Sequence, residues 1–515
     1  MNWSWLALTA ALVLTVQEKP AAKSAGTTEH RASEKATRRA KGRELLDNAA
    51  ETVAAAQPQV HAAGLMHIAE AYESLNRKKA LEFYQQAFTS SAALTSNQRQ
   101  NIQPEIITNV AQLSLPDAIE MLHQMRPAPA HVVGNIVGRM LEKNQIDDAM
   151  QLVEGAGSTG EYSFDAVEQI FKKLPPDDSR RVAVFSSAMS AFTLHPLDAE
   201  DHPQRGFPDL LARHWQEIPR SMAALSLDAI VNSILDRKDD GPLTETIATA
   251  KGSLNFSSQK DVELFGIINV IQALDPKRTE EILEKRPDLR AAFEMFPGGQ
   301  TSIDNSSTSS TSGSVSLDRL LEMRQRAQAE SAAQSAIAMF DTTPGTALWV
   351  TGSIEIPAIR AQTLGIMASA ASKKDPETAR SVLGQCISML KDVKDPGDRV
   401  DTWTQVAQAA WNIKDEKQAW EAIDRGIEDA TALYKLDADE DSPNLALREY
   451  WPSTQAYRRI VSCTTRLFGV DAEPLLLKIR DPDLALLAQI EMASTLLGKP
   501  GHHSNTMISR TSRKK

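Results

Sequence analysis

The stretch that decides the fold is LKDVKDPGDRVDTWTQVAQAAW, residues 390–411. It contains Lys-Asp-Pro at 394–396, the same tripeptide stands at 374–376, and Arg-Asp-Pro stands at 480–482. In each, the aspartate carboxylate can accept hydrogen bonds from free backbone N–H groups of a first helical turn. Proline suits the first helical position, where its missing N–H costs nothing. The tripeptide therefore predicts a helix that begins at each of these prolines.

Small residues recur at a fixed distance behind these prolines. Ala407 follows Pro396 by eleven positions, about three helical turns, and so lies on the same helix face. The same step links six further pairs: Pro357 to Ala368, Pro482 to Ala493, Pro452 to Cys463, Pro58 to Ala69, Pro127 to Gly138 and Pro176 to Ser187. A second alanine follows eleven or twelve residues later at Ala80, Ala149, Ala379 and Ala419. Because helix separation depends on the side chains at the contact, this spacing predicts closely crossing helix pairs.

A polar segment separates the two small residues in the four clearest copies. These segments are ESLNRKK at 73–79, EKNQIDD at 142–148, SKKDPET at 372–378 and NIKDEKQ at 412–418. Each copy therefore predicts a helix, a tight turn and a second helix. Since one hairpin cannot bury its apolar faces alone, the hairpins are expected to stack.

These residues resemble the tetratricopeptide-repeat (TPR) family in degenerate copies. The large and small positions of that family's repeat are matched in two units by Trp403, Val406, Ala407, Ala410, Ala419, Ile423 and Gly426, and by Leu65, Ile68, Ala69, Tyr72, Ala80, Tyr84 and Ala87. The units around Gly138 and Ala368 fit similarly. The resemblance implies an all-α fold, an α-solenoid in which antiparallel helical hairpins stack into a right-handed superhelix. Against this, ALWVTGSIEI at 347–356 is the one strand-like segment.

Composition divides the rest of the chain. The Gly/Ser/Thr-rich segment 297–316 predicts a linker between an N-terminal helical-repeat array at 44–296 and a C-terminal array at 317–497. Residues 18–43 and 498–515 are basic and are predicted to be a disordered linker and a disordered tail.

The first 17 residues contain the apolar run WLALTAALVLTV at 5–16, which has the length of a signal-peptide core. Export to a periplasmic or extracellular site is the main interpretation, and an uncleaved N-terminal membrane anchor is the alternative. Residues 44–497 carry 43 Lys/Arg against 64 Asp/Glu. Such an acidic body repels a phosphate backbone, so no nucleic-acid partner is expected for it, and membrane contact is expected only through the N-terminal segment.

Cys386 and Cys463 are too few for a disulfide scaffold and fall at packing positions of the repeat, so buried free thiols are expected. No phosphate-binding loop, nucleophile elbow or dinucleotide-binding fingerprint occurs in the sequence. The sequence thus favours a protein that is not an enzyme and needs no cofactor.

The residues with most metal-ligating character lie in the insertion 195–215. Imidazole and carboxylate groups can bind a divalent ion when a loop brings them together. The candidates are His195, Asp198, Asp201, His202, Asp209 and His214. They support the alternative hypothesis of a metal-dependent or glycan-active enzyme of the cell envelope, although their spacing matches no established metal motif.

The resemblance places a peptide-binding groove on the first helix of each hairpin. The positions carried over are Asp401, Thr404, Gln408, Trp411 and Asn412 in one unit, and Gln362, Gly365, Ser369, Ser372 and Lys373 in the unit before it. Trp411 is the expected anchor, since a tryptophan provides a large contact area on binding. Packing between repeats is its alternative role. The main functional hypothesis is a non-catalytic exported scaffold that binds a protein or peptide in this groove.

Overall fold

The computed structural model describes residues 25–125, 128–157, 162–194, 206–237, 245–249, 252–303, 317–439 and 447–498. The fold of these residues is all-α, as predicted, apart from one hairpin of two short strands. No helix among them is both long and apolar enough to cross a membrane. The predicted signal peptide or anchor (1–17) and the predicted tail, apart from Gly498, lie outside the described residues.

The elements follow one another in chain order. The first part comprises α1 (Ala25–Thr52), α2 (Pro58–Tyr72), α3 (Arg77–Ser90), α4 (Ser96–Leu113), α5 (Leu115–Gln124), α6 (Ala130–Glu142), α7 (Ile146–Gly157), α8 (Phe164–Lys173), α9 (Arg180–Leu194), α10 (Gly206–His214), α11 (Arg220–Asp236), β1 (Glu245–Thr249) and β2 (Gly252–Phe256). The second part comprises α12 (Gln259–Leu274), α13 (Pro276–Lys285), α14 (Pro287–Met295), α15 (Leu317–Phe340), α16 (Pro344–Gly352), α17 (Pro357–Ala371), α18 (Pro376–Met389), α19 (Pro396–Asn412), α20 (Glu416–Asp439), α21 (Pro452–Phe468) and α22 (Pro482–Leu496).

The described residues form two compact units. The central unit comprises those within 107–316, and the terminal unit comprises 25–106 together with 317–498. This division differs from the predicted arrays at 44–296 and 317–497. The reason is that α1 and α2 pack on α22: Gln489 Nε2 donates to the carbonyl of Leu45 at 2.8 Å, and the N–H of Gln57 donates to Asp483 Oδ1 at 3.4 Å.

The helix starts predicted from the Asp-Pro tripeptides are confirmed. Asp375 accepts a hydrogen bond from the N–H of Thr378 at 3.1 Å, Asp395 from that of Gly397 at 2.7 Å, and Asp481 from that of Leu484 at 3.0 Å. Pro occupies the first turn of α18, α19 and α22. Of the other spaced prolines, Pro176 lies in a turn, and Asp178 accepts from the N–H of Arg180, where α9 begins. Helix α6 likewise begins at Ala130 and not at Pro127.

The small residues of the repeat lie where helices cross. The alanines that define the α2–α3, α17–α18 and α19–α20 hairpins are all buried, namely Ala69, Ala80, Ala368, Ala379, Ala407 and Ala419. Helices α17 and α19 also approach closely, since a Cβ added to Gly365 would lie 2.8 Å from the Cβ of Gln405. Because a Cβ cannot swing away, any side chain at Gly365 forces the two helices apart.

Gly365→Ala is therefore expected to lower the free energy of unfolding by about 1–3 kcal/mol, the usual cost of overpacking. Alanine is by itself favoured over glycine in a helix by about 1 kcal/mol. Gly384→Ala on α18 is the matched control, because an added Cβ there meets nothing within 4 Å and should raise stability. Urea denaturation of the two variants checks the close approach, and equal stabilisation of both would contradict it.

Several predicted irregular segments are helical. Residues 25–43, expected to be disordered, lie in α1, and residues 206–214 of the predicted insertion form α10. The prediction of a possible strand at 347–356 is wrong. Pro344 starts α16, and Thr351 Oγ1 donates to the carbonyl of Ala347 one turn back. The strands lie instead at β1 and β2, paired antiparallel from Glu245 opposite Phe256 to Thr249 opposite Gly252.

The predicted linker 297–316 begins as packed structure. Residues 299–302 form a short helical turn beside α12, and Ile303 is buried. Gly299 has φ +64°, and a Cβ there would lie 2.6 Å from the carbonyl oxygen of Phe265, so glycine is required by both conformation and space. The remainder, 304–316, lies outside the described residues.

Both cysteines are buried free thiols, as predicted. Cys386 Sγ donates to the carbonyl of Ala361 at 3.3 Å, which ties α18 to α17. Burial raises the pKa of the Cys386 thiol to about 12 and that of Cys463 to about 11. Both therefore stay protonated at neutral pH and act as packing residues.

Candidate functional site

Helix α19 carries the predicted groove residues of one unit and contacts both α17 and α21. No residue of this helix is fully exposed. The helix reaches solvent through half-buried side chains that lie at helical spacing. We call these residues the α19 face: Asp401, Thr404, Gln405, Gln408, Trp411 and Asn412. The structure thus brings the five positions expected from the sequence to one face and adds Gln405.

Two of these residues hold α19 to α21. Asp401 forms an ion pair with Arg459 of α21, and Cys463 Sγ donates to the carbonyl of Thr404 at 3.7 Å. Thr404 Oγ1 itself donates to the carbonyl of Asp401 at 2.7 Å. Asp401 and Thr404 therefore have partners within the fold.

Trp411 packs against a neighbouring helix. Its ring centroid lies 4.7 Å from that of Phe468 at the end of α21, in an edge-to-face arrangement. Trp420 of α20 lies on the same phenylalanine at 4.3 Å. Packing between repeats therefore covers much of the surface of the Trp411 ring, and the residue is half-buried.

The predicted positions on α17 and in the turn that follows it adjoin the α19 face. Gln362 and Ser369 are half-buried and Lys373 is exposed, while Gly365 and Ser372 are buried. Gly365 fits against Gln405, so the two rows adjoin. Gln408 Nε2 donates to Asn412 Oδ1 at 3.1 Å. The combined surface is rich in carboxamides, which both donate and accept hydrogen bonds.

The metal candidates do not converge among the described residues. His195, Asp198, Asp201 and His202 lie outside them. The ring of His214 packs on Phe171, with Nδ1 3.1 Å from Glu217 Oε2 and Nε2 3.4 Å from Glu168 Oε2. The two ring nitrogens thus face different carboxylates.

Those carboxylates already have cationic partners. Glu217 pairs with Arg181, and Glu168 pairs with Arg213 at 3.1 Å. Burial raises the pKa of Asp209, which belongs to the same insertion. In the part of the chain that the structure describes, no group of three His, Cys, Asp or Glu side chains is placed to hold a metal ion.

A cleft of about 560 Å³ lies in the central unit, where α12, α13 and α14 meet. It is lined by three acidic and three basic side chains, of which Asp261 and Arg286 pair with each other. Arg286 Nη1 lies 2.6 Å from Asp261 Oδ1, and Ser257 Oγ donates to Asp288 Oδ2 at 2.5 Å. The equal numbers of acidic and basic side chains leave little excess charge for an ionic ligand.

The terminal unit contains a buried ion-pair network that sequence reasoning missed. We define it by His67, Glu70, Glu449, Arg458 and Glu491. His67 Nε2 lies 2.6 Å from Glu449 Oε1, and His67 Nδ1 lies 2.8 Å from Glu70 Oε2. Arg458 Nη2 lies 3.2 Å from Glu491 Oε2. Glu449 and Glu491 are 3% and 1% exposed, while Glu70 is half-buried at the edge of the network, which joins α2, α21 and α22.

Opposite charges in this network stabilise each other's ionised forms. Burial alone would lower the pKa of His67, but the adjacent Glu449 and Glu70 carboxylates outweigh burial and the opposing Arg458 and raise it to about 10. Burial likewise opposes ionisation of Glu449, yet His67 and Arg458 lower its pKa. His67 is therefore a cation at neutral pH, and the network depends on its full set of charges.

A second set of bonds extends the same junction. Arg448 Nη1 lies 2.9 Å from Asp483 Oδ2, and Arg448 Nη2 pairs with Asp481 and donates to the Tyr434 hydroxyl at 2.8 Å. Tyr450 donates to Glu105 Oε2 at 3.0 Å. Segments from the two ends of the chain are thus joined by charged hydrogen bonds.

Glu105 gives the junction a pH dependence. Burial, reinforced by Glu449, raises the pKa of Glu105 to about 7 from 4.5. Because the unfolded carboxyl ionises first as pH rises, stability falls between about pH 4.5 and 7, and the loss persists above that range. Glu105→Gln is expected to raise the free energy of unfolding by about 1–2 kcal/mol at pH 8 and to leave it unchanged at pH 4. Urea denaturation at the two pH values tests this, and an equal effect at both would contradict it.

The sequence signal for the network is weak. His67 stands in GLMHIAEAY and Glu491 in ALLAQIEMAS, ionisable residues within otherwise small or apolar runs. Such residues indicate a buried partner. The partner itself lies 382 residues away for His67 and Glu449, a separation across which local patterning carries no information.

No protein-family model, curated protein or solved structure matches this chain.

Proposed function

We propose that this protein is a non-catalytic scaffold of degenerate TPR-like hairpins that binds a protein or peptide along the surface formed by α17 and the α19 face. The order of contacts in the terminal unit supports a stacked arrangement. The first helices of successive hairpins contact one another, α15 with α17, α17 with α19 and α19 with α21. Their partners α16, α18 and α20 each contact their own first helix.

The observation that carries the proposal is the row of half-buried carboxamides, Gln362, Gln405, Gln408 and Asn412, on two adjoining helices. An extended peptide presents backbone N–H and C=O groups that each need a partner. A carboxamide offers both a donor and an acceptor, so a row of them can pair with a main chain whatever its side chains. Lys373 at the end of the α17 row adds one exposed cation.

The cellular setting is part of the proposal. The apolar run at 5–16 supports export, with N-terminal anchoring as the alternative. The excess of Asp/Glu over Lys/Arg in 44–497 supports a protein rather than a nucleic acid as the partner.

Site-specific photo-crosslinking in cells that produce the protein tests the proposal. A photoreactive phenylalanine replaces Gln408 or Gln362, and in the control it replaces Lys417, an exposed residue of α20. We expect both groove positions to crosslink one segment of one protein, and a synthetic peptide of that segment to compete. Crosslinks of equal yield and identity from Lys417, or none at either groove position, would refute the surface assignment.

Asp401 and Trp411 are poor positions for this test. Replacing Asp401 breaks its ion pair with Arg459, and replacing Trp411 removes its packing on Phe468. Loss of binding in such variants would report on the α19–α21 contact as much as on recognition. Gln362 has no such bond across helices among the described contacts and is the cleaner position.

A further inference from the structure

The surface formed by α17 and the α19 face continues onto α21. Asp401 pairs with Arg459 near the start of the two helices, and Trp411 packs on Phe468 near their ends. The helices α19 and α21 therefore run in the same direction at a nearly constant offset. Arg466 follows Arg459 by seven residues, about two helical turns, and so lies on the same side of α21.

The offset between the two helices places Arg466 beside Gln408. Arg466 is exposed, and its Nε donates to the carbonyl of Ser462 in its own helix at 3.3 Å. Among the described residues, no acid forms an ion pair with it. The carboxamide of Gln408 thus has a free guanidinium as its neighbour on the α21 side.

A second free cation lies on the other side of the α19 face. Turns reverse the chain before and after α18, so α17 and α19 run in the same direction. With Gly365 against Gln405, Lys373 lies beside the C-terminal end of α19. Its neighbour Lys374 pairs with Asp341 at 2.7 Å, whereas Lys373 has no ion pair among the described residues.

The surface of the three helices is therefore basic, although the protein is acidic. Lys373 and Arg466 flank the row of carboxamides, and Asp401, the one acid of the α19 face, is neutralised by Arg459. Residues 44–497 as a whole have an excess of Asp/Glu. An acidic ligand is attracted to this surface and repelled from the rest of the body.

We propose that the peptide bound along α17, the α19 face and α21 is acidic, with one Asp or Glu side chain at Lys373 and another at Arg466. This inference rests on the proposed function, because it names the class of peptide that the same surface takes. Packed helices lie about 8–10 Å apart, so two such steps separate the cations by about 20 Å. An extended chain advances about 3.3 Å per residue, which places the two acids about six residues apart.

Fluorescence anisotropy of labelled peptides with the full chain tests the proposal. Three glutamine-rich peptides of equal length carry two glutamates about six positions apart, two adjacent glutamates, or two lysines at the wide spacing. We expect the widely spaced glutamates to bind most tightly and the lysines most weakly. An exposed ion pair contributes up to about a fivefold change in affinity, so Lys373→Gln together with Arg466→Gln should weaken the first peptide about tenfold.

The matched control replaces Arg77 and Lys391, two other exposed cations of the terminal unit, by Gln. It removes the same charge outside the three helices and should leave the affinity nearly unchanged. The proposal is overturned if the control weakens binding as much as the double variant does. It is also overturned if the wild type binds the lysine peptide as tightly as the glutamate peptides, or binds none of the three.

Crosslinking from Gln408 in cells separates failure of this inference from failure of the proposed function. We expect the crosslinked segment to contain the two acids, and its yield to fall about tenfold in the Lys373→Gln, Arg466→Gln variant. Equal yield of one segment with and without the two cations would refute only the acidic peptide. No crosslink from either chain would refute the binding surface itself.

Discussion

Arg458→Met is expected to destabilise the terminal unit by about 3–5 kcal/mol, because it leaves the buried Glu449 and Glu491 carboxylates without their shared cation. The change affects Glu491 more than Glu449. Arg458 is the cationic partner of Glu491 at 3.2 Å, while Glu449 keeps its ion pair with His67. Urea denaturation followed by tryptophan fluorescence measures the effect. Five tryptophans, Trp349, Trp403, Trp411, Trp420 and Trp451, lie in the terminal unit.

A double variant separates loss of a charge from loss of packing. Replacing Glu491 by Leu together with Arg458→Met removes both members of the pair, and most of the lost stability should return. Arg425→Met is the control, because Arg425 forms an exposed ion pair with Glu428 on α20 and such pairs contribute little. If the double variant is as unstable as the sum of its single changes, the ionic account of this junction is wrong.

Ending the chain at Ile479, before α22, is expected to unfold residues 58–90 although they lie almost 400 positions earlier in the sequence. Leu486 and Ile490 of α22 lie near Gly64 of α2, and α22 also carries Asp483 and Glu491 of the charged junction. Without α22, the buried apolar face of α2 would be open to water.

Limited trypsin digestion measures this effect. The turn between α2 and α3 is followed by Arg77, Lys78 and Lys79, and these should become rapid cleavage sites in the shortened chain. A chain ending at Gly498, which keeps α22, is the control and should resist cleavage there as the wild type does. Equal resistance in the chain ending at Ile479 would show that α2 and α3 fold without α22.

The local architecture was predictable from the sequence because its determinants are local. An Asp-Pro pair caps a helix through bonds to residues two or three positions away, as Asp375, Asp395 and Asp481 do. Small residues at eleven-residue spacing reflect one helix face and one hairpin. Turns such as 142–148 and 412–418 were also correct, and Asn144 and Lys414 there have φ of 62° and 64°.

The assembly of the hairpins was not predictable in the same way. The composition of 297–316 suggested a boundary between two arrays, whereas α1 and α2 belong with α22. That pairing depends on side chains such as Gln489 and Asp483 meeting backbone groups more than 400 residues away in sequence. No periodicity within one segment encodes such a contact.

The α19 face was predicted through the family resemblance, and its chemistry was not. Placing Asp401 and Trp411 on one face was correct, but their partners Arg459 and Phe468 lie on a later helix and occupy them. The carboxamides that remain accessible, including Gln405, form one row only because α17 lies beside α19. Binding residues therefore had to be separated from packing residues in three dimensions.

The most direct test of the account is native-state hydrogen exchange, measured by mass spectrometry at increasing urea concentration. Through His67, Glu449, Arg458 and Glu491, residues from both ends of the described chain are expected to form one cooperative unit. We expect the amides of α2 and of α22 to open with the same free energy and the same urea dependence, and Arg458→Met to lower both together. If α2 opens with the central-unit helices α6 and α8 and is unaffected by Arg458→Met, the two ends do not form one unit.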